Sequence, residues 1–348
     1  MEKPKKNQHY VPQSYLENFS LDPKKKEKQI FVFDKFNQTK FSTNIKNIPL
    51  ERYFYDFHEI LVSPGEDPQI VENLFTEIEG EQKKLLKHIQ KKIDWIFSLR
   101  KKSNAYSKKV LNQSQKIDLS YVVAFQWFRT REFRNFLLEM REVNKPLFDK
   151  LIKQEMNEII TQFAAEYSIP LNEESASEIK SMLFEITDDK LSFMYKEGLS
   201  AIHSNFMFSY YEPASQILRK HIYLIGINDT DQPLFTSDHP VVQYSHLGLK
   251  GINSPGIEIA FPINSKAILI MKEKSHFDKF TKLDSNLFPL TLNDVNFYNQ
   301  LQVYGSNRFV FCSENRFDSV EEICKNNPDV CSNNKTRIQL KEIPADDL

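Results

Sequence analysis

Apolar and polar positions alternate in two different rhythms along this chain. Between residues 29 and 43, "QIFVFDKFNQTKFST" has a period of two. That spacing predicts a hairpin with Ile30, Val32 and Phe41 facing inward and the polar Asn37-Gln38 at its turn. "ERYFYDF", Glu51 to Phe57, reads as another short strand, and Ser63-Pro64-Gly65 interrupts it. The rhythm then lengthens. Val71, Leu74, Phe75, Ile78, Leu85, Ile89, Ile93 and Ile96 recur at three, four and seven, which predicts one apolar helical stripe. Further helices are expected over 117–140, 148–163, 175–186 and 192–211, with Pro170, Asn172 and Asp188-Asp189 as breakers.

After Pro213 the period shortens again. "HIYLIGIN", "QPLFTS", "PVVQYS", "IEIAFPI", "KAILIMK" and "NRFVFCS" are β-rich runs bounded by Pro, Asn, Asp and Gly. Strands at both ends with helices between them predict an α+β fold. Its sheet, mixed or antiparallel, is built from the N- and C-terminal strands, and the central helical section, about 69–211, packs on it. Residues 1–317 are expected to form one domain, followed by a polar tail, 318–348, that contains one short helix.

Composition narrows the function classes. The 348 residues carry a net charge of −1, so nucleic acid would have to be met by a local basic patch and not by a global field. Lys101 to Lys109 is the one charge-biased stretch, expected as a loop. Only 8 glycines are present, and there is no P-loop, no GxGxxG, no His-Glu-x-x-His, no Cys-x-x-Cys and no Gly-x-Ser-x-Gly. These absences argue against the common nucleotide, zinc and hydrolase devices. Three cysteines, Cys312, Cys324 and Cys331, with a charged Met1–Lys6 and no apolar leader, read as reduced thiols in a cytoplasmic protein. No apolar run reaches the length of a membrane span.

Three polar motifs remain as candidate chemistry. In "QHYVPQ", Pro12 biases Val11 to an extended conformation. Gln8 and Tyr10 then face one way and His9 the other, and His9 could act as a base, a metal ligand or a donor to an anion. Tyr15, Leu16 and Phe19 follow at helical spacing. The structural alternative is that His9 and Gln13 pin that short helix by buried hydrogen bonds. In "LFTSDHPVV", Asp238 stands at a strand end, where a carboxylate can hold a divalent metal, with Ser237 beside it. Its structural alternative is a turn tied by side-chain-to-backbone hydrogen bonds.

In "FQWFRTREFR", Gln126 and Arg129 share a helical face, and the Arg129 guanidinium suits a phosphate or carboxylate. Arg131 and Arg134 read as solvated, with Glu132 as a local partner. Glu77 and Glu81 share a face of their helix, and alternating Glu79 does not complete a carboxylate pair. Asp34 and Lys35 in "VFDKF" form half of an acid-and-lysine nuclease strand, a short match.

These motifs, in the order "QHYVPQSYLENFS", "IFVFDK", "VENLFTEIEGEQ", "FQWFRTREFR", "LFTSDHPVV", "IAFPINSKAILIM" and "NQLQVYGSNRFVF", resemble the bacterial family of domain of unknown function 4238. The likeness runs from Gln8 to about Cys312. It maps the family pattern onto His9, Tyr10, Pro12, Gln13, Tyr15 and Leu16, onto Gln126 and Arg129, onto Ser237, Asp238 and Pro240, and onto Asn299 and Arg308. His239 falls at a position free to vary in that pattern. The family implies no activity.

The residue types therefore carry the functional expectation. It is a metal-dependent nucleic-acid phosphodiesterase in bacterial antiviral defence: Asp238 on Mg or Mn, His9 as general base or phosphate donor, Arg129 on the scissile phosphate. Gln8, Tyr10, Gln13, Gln126 and Ser237 would bind substrate. Two alternatives stand beside it: a non-catalytic sensor or protein-binding module of a defence system, and ADP-ribosyl or nucleotidyl transfer, which lacks a clear catalytic Glu. Burial separates the first two, because staples are sealed and a site opens to a concave pocket.

Overall fold

A computed structural model describes residues 6–22, 25–55, 70–99, 106, 108–184, 199–249, 251–333 and 335–338. β1 (Asn7–His9) pairs antiparallel with β4 (Leu50–Arg52), placing Gln8 opposite Glu51. Pro12 ends the extended lead-in and stands as N-cap of α1 (Gln13–Leu16), a single turn that continues as a 3-10 turn, Glu17–Phe19. Tyr15, Leu16 and Phe19 are buried from this turn, as their spacing predicts.

β2 (Gln29–Asp34) and β3 (Thr39–Asn44) form the expected hairpin, with Gln38 left-handed at its turn (φ 50°). Ile30 and Val32 are buried. Phe41, opposite Val32 on the edge strand β3, is exposed instead. β2 pairs with β11 (Phe309–Cys312), and β11 pairs with β6 (Thr236–Ser237). The N-terminal hairpin therefore shares an antiparallel sheet, order β3-β2-β11-β6, with C-terminal strands.

The remaining strands build a five-stranded sheet, separate from the β1–β4 pair and from the four-stranded sheet. β5 (Ile222–Asn228), β7 (Val242–Ser245), β8 (Ile257–Asn264), β9 (Ala267–Lys272) and β10 (Asn286–Leu290) run in the order β10-β5-β9-β8-β7. All pairings are antiparallel except that of β10 with β5. β5 and β9 are buried along their whole length, so both faces need cover. Tyr223, Ile225, Ile259, Phe261 and Leu269 face the helical section, while Ile222, Leu224, Ala260, Ile268 and Ile270 face Val295 and Tyr298 of α7 (Leu292–Gly305). The β10–α7 pair went unread in the sequence. Its signal was "TLND", where Thr291 and Asp294 form a capping box.

The helical section consists of α2 (Ile70–Leu99), α3 (Gln113–Phe128), α4 (Arg131–Glu166), α5 (Glu173–Phe184) and α6 (Leu199–Leu218). One helix over 117–140 was expected. The chain breaks at Arg129-Thr130, where the Thr130 side chain caps α4 by accepting from Phe133 N. α4 then runs through the interval expected to separate two helices, and α6 continues past Pro213. On α2 Val71, Phe75, Ile89, Ile93 and Ile96 of the predicted stripe are buried and Leu86 joins them, Ile78 and Leu85 are half-buried, and Leu74 is exposed.

The segment read as a polar tail includes α8 (Asp318–Asn326), whose Val320, Ile323 and Cys324 pack with Phe33, Phe235 and Phe317. Cys324 and Cys331 are joined in a disulfide and Cys312 is a buried thiol, so the three cysteines are not all reduced. A 3-10 turn at Pro328–Cys331 folds the chain back on α8 and brings the two Cα atoms within 5.8 Å. Among the described residues no helix is long and apolar enough to cross a membrane. Of the charge-biased stretch, residues 101–105 and 107 lie outside the described residues, as do 56 and 57 of the strand expected at Glu51 to Phe57.

Candidate functional site

The first motif is consumed where it crosses α2 and α3. Gln8 is buried and its Oε1 accepts from Tyr55 N at 2.7 Å. The Tyr10 ring packs against Phe54, centroids 5.4 Å apart, and its carbonyl accepts from Gln126 Nε2 at 3.4 Å. Gln13 Nε2 donates to His9 Nε2 at 2.8 Å, which leaves the ring proton on Nδ1. Burial pulls the His9 pKa down to about 4, Glu79 opposing and Arg129 assisting, so the ring is neutral at pH 7.

Arg129 sits just past the end of α3 and is completely buried. Its Nη2 donates to the His9 carbonyl at 2.7 Å and pairs with Glu79 Oε1 at 2.8 Å. The guanidinium lies over the rings of Phe75 (4.7 Å) and Phe125 (5.6 Å). Tyr55 donates its hydroxyl to the Arg129 carbonyl. Burial works against the Arg129 charge, but Glu79 and Tyr55 outweigh it and hold the pKa above its usual value. Arg129 Nε and Nη1, His9 Nδ1 and Gln126 Oε1 are buried without a hydrogen-bond partner.

The second motif closes a different joint. Both Asp238 oxygens face backbone amides: Oδ1 accepts from Asn307 N (2.8 Å), Oδ2 from Arg308 N (2.8 Å) and Phe309 N (2.9 Å). Burial pushes the Asp238 carboxyl up, opposed by these three amides and the nearby Lys35. Ser237 Oγ donates to Gln302 Oε1 at 2.7 Å, and Gln302 Nε2 donates to the Pro240 carbonyl at 2.9 Å. Lys35, also sealed, donates to the carbonyls of Val303 (2.8 Å) and Ser306 (2.9 Å) and so finishes α7. Burial, the first cause, pulls its pKa to about 7. Asp34 is taken by Arg308, whose Nε and Nη2 reach Oδ1 at 2.9 Å and Oδ2 at 2.6 Å.

Asp238 does not fit as a ligand for Mg or Mn. It is sealed from solvent, and its oxygens hold the loop that leads into β11. Among the described residues no group of three His, Cys, Asp or Glu side chains is placed to hold a metal ion. The structure gathers Gln8, His9, Tyr10, Gln13, Gln126 and Arg129 at one junction and Ser237 with Asp238 at another, and no hydrogen bond joins the His9 ring or the Arg129 guanidinium to Asp238. The two junctions are linked at His239, whose Nδ1 lies 2.6 Å from Thr130 Oγ1.

Several participants were missed in the sequence. Glu79, set aside because its neighbours scatter around the helix, is the ion-pair partner of Arg129. Arg134, expected in solvent, is buried 3.4 Å over the Phe54 ring, with Nε donating to His203 Nδ1 at 3.0 Å. His203 donates from Nε2 to the Phe128 carbonyl at 2.6 Å. Glu132 does not pair locally; it binds Lys335 and Arg337 from the chain's end. Only Arg131 behaves as expected, exposed and paired with Glu51 at 2.6 Å. An apolar setting such as "SAIHSNFMF" was the signal available for His203.

A cleft of about 1320 Å³ opens elsewhere, between α2 and α3. Glu77, Gly80, Glu81 and His88 line one wall, Asp118 and Tyr121 the other, and Phe125 and Tyr211 the interior. None of the eight candidate residues of the motifs lines it.

The family model described as "Protein of unknown function (DUF4238)" matches residues 7–316. The chain belongs to this family. Neither a curated protein nor a solved structure matches it. The DUF4238 match spans both junctions and the cleft, from β1 through β11.

Proposed function

We propose that this protein is a non-catalytic binding module whose polar motifs staple the fold. One observation carries the reading. Gln8, Tyr10, Gln126, Arg129, Ser237 and Asp238 are all sealed, while the open concave surface is lined by other residues. Buried polar groups with internal partners are the signature of staples, and a ligand site keeps donors and acceptors turned to an accessible cavity.

A second reading, metal-dependent phosphodiesterase, keeps one supporting observation: His9 and Arg129, joined through the His9 carbonyl, both carry buried nitrogens without a partner, and such donors would suit an anion. The test is incubation with plasmid, single-stranded DNA and total RNA, with Mg²⁺ or Mn²⁺ and with chelator, beside His9→Ala. The binding reading expects no degradation by either protein. Metal-dependent degradation that His9→Ala abolishes, with the variant still folded, overturns it.

A further inference from the structure

The cleft between α2 and α3 has features that neither helix needs for folding. Glu77 and Asp118 line it from opposite walls, and among the described residues neither carboxylate has an ionic partner. Glu81, by contrast, is neutralised by Lys84 at 2.6 Å. Gln82, 3% exposed, lines the same space with its Nε2 unpartnered. A buried amide nitrogen without an acceptor costs free energy unless something outside the chain supplies one. Gly80 leaves open space where a side chain would stand: no atom lies within 4 Å of an added Cβ. Glycine in mid-helix is itself unfavourable, and here it widens the opening.

The cleft is elongated. Its wall on α2 runs from Thr76 to His88, roughly 18 Å at the helical rise. Trp95, 60% exposed, lies eighteen residues past Glu77, which is five whole turns, so it continues the same face of α2. The volume, about 1320 Å³, exceeds the roughly 300–1,000 Å³ of small-molecule sites. A groove between two helices, with an aromatic interior, unpaired acids on both walls and an exposed tryptophan in line, matches the receptacle of an amphipathic helix.

We propose that the α2–α3 groove docks an amphipathic helical segment of a partner protein, its apolar side on Phe125 and Tyr211 and its basic side chains on Glu77 and Asp118. The inference rests on the binding-module reading and gives it a place and a partner chemistry. Charge complementarity selects a basic helix over an acidic one, since like charges on both walls would repel the latter.

The probe is a fluorescein-labelled synthetic amphipathic helix of leucine and lysine, compared by anisotropy with its leucine–glutamate counterpart on the full chain. Saturable binding of the basic peptide alone is expected. Gly80→Phe should weaken it by about tenfold or more by filling the groove, without lowering the melting temperature, since it removes a mid-helix glycine. Glu77→Gln with Asp118→Asn should weaken it by about tenfold, and the control pair Glu173→Gln with Glu174→Gln, on α5, should leave it unchanged.

Absent saturable binding, equal binding of the acidic peptide, or binding untouched by Gly80→Phe in a folded protein each overturns the proposal. Equal loss in the α5 control overturns it too, by exposing charge attraction without a site. The nuclease assay is a separate readout, so failure of the groove is distinguishable from failure of the non-catalytic reading.

Discussion

Arg129 donates from Nη2 to the backbone carbonyl of His9 at 2.7 Å, across 120 residues of sequence. That bond ties the opening motif to the end of α3, and the same nitrogen holds Glu79 of α2. Three segments meet on one buried guanidinium, so these polar residues are consumed within the fold without forming an open site.

Arg129→Met is expected to destabilise the protein by about 3 kcal/mol, the lower end for removing one partner of a buried pair, because Glu79 keeps some solvent. Arg129→Lys should recover little, since an ammonium cannot span His9, Glu79 and the Phe75 face together. Urea denaturation checks both. A midpoint unchanged in Arg129→Met would show that the guanidinium is not a staple.

Asp238→Asn converts one acceptor oxygen into a donor facing the amides of Asn307, Arg308 and Phe309. A loss of about 2 kcal/mol or more is expected, and hydrogen exchange at those three amides should accelerate before exchange elsewhere in β11. Unchanged protection would contradict the clasp.

Burial pulls down the pKa of four histidines: His221 below its usual value, His9 and His239 to about 4, and His203 to about 3. The unfolded chain protonates them near 6.5, so between pH 6.5 and 4 it binds more protons than the native state. Depressed native pKa values mean stability that is full above 6.5 and lost as pH falls. From His9, His203 and His239 the expected slope is about 3 kcal/mol per pH unit near pH 5, His9 contributing least of the three as the least buried. Denaturant midpoints at pH 7, 6, 5 and 4.5 measure it. His203→Gln should remove about a third of the slope, and an unchanged slope would refute the assignment.

The Cys324–Cys331 bond closes a short loop, sequence separation 7. By loop-closure entropy it contributes about 2 kcal/mol. Cys331→Ser should lower the melting temperature, and reductant should lower that of the parent but leave the variant unmoved. Equal sensitivity of both proteins to reductant would place the effect elsewhere.

Periodicity carried much of the architecture. Ile30 and Val32, the stripe from Val71 to Ile96, and the apolar runs of β5, β8 and β9 declared their elements because burial on one face or on both writes itself into spacing. Breaks were harder. Thr130 divides α3 from α4 with a cap that "FRTREFR" contains but does not advertise within a continuous helical pattern. The candidate residues were found as a set, and their chemistry was not: "QHYVPQ" and "TSDHP" look the same in sequence whether their polar atoms face substrate or backbone.

The sequence by itself determined the family, the α+β class, the sharing of a sheet by N-terminal and C-terminal strands, and which polar residues stand in motifs. Only tertiary structure decided what those residues do. Asp238 meets three amides that lie some seventy positions away, Arg129 meets a carbonyl 120 positions earlier, and the groove is lined jointly by residues of α2, α3 and α6. Periodicity is local and survives in the one-dimensional chain. Partner identity is a long-range property, fixed only when desolvation forces each buried donor to find its acceptor.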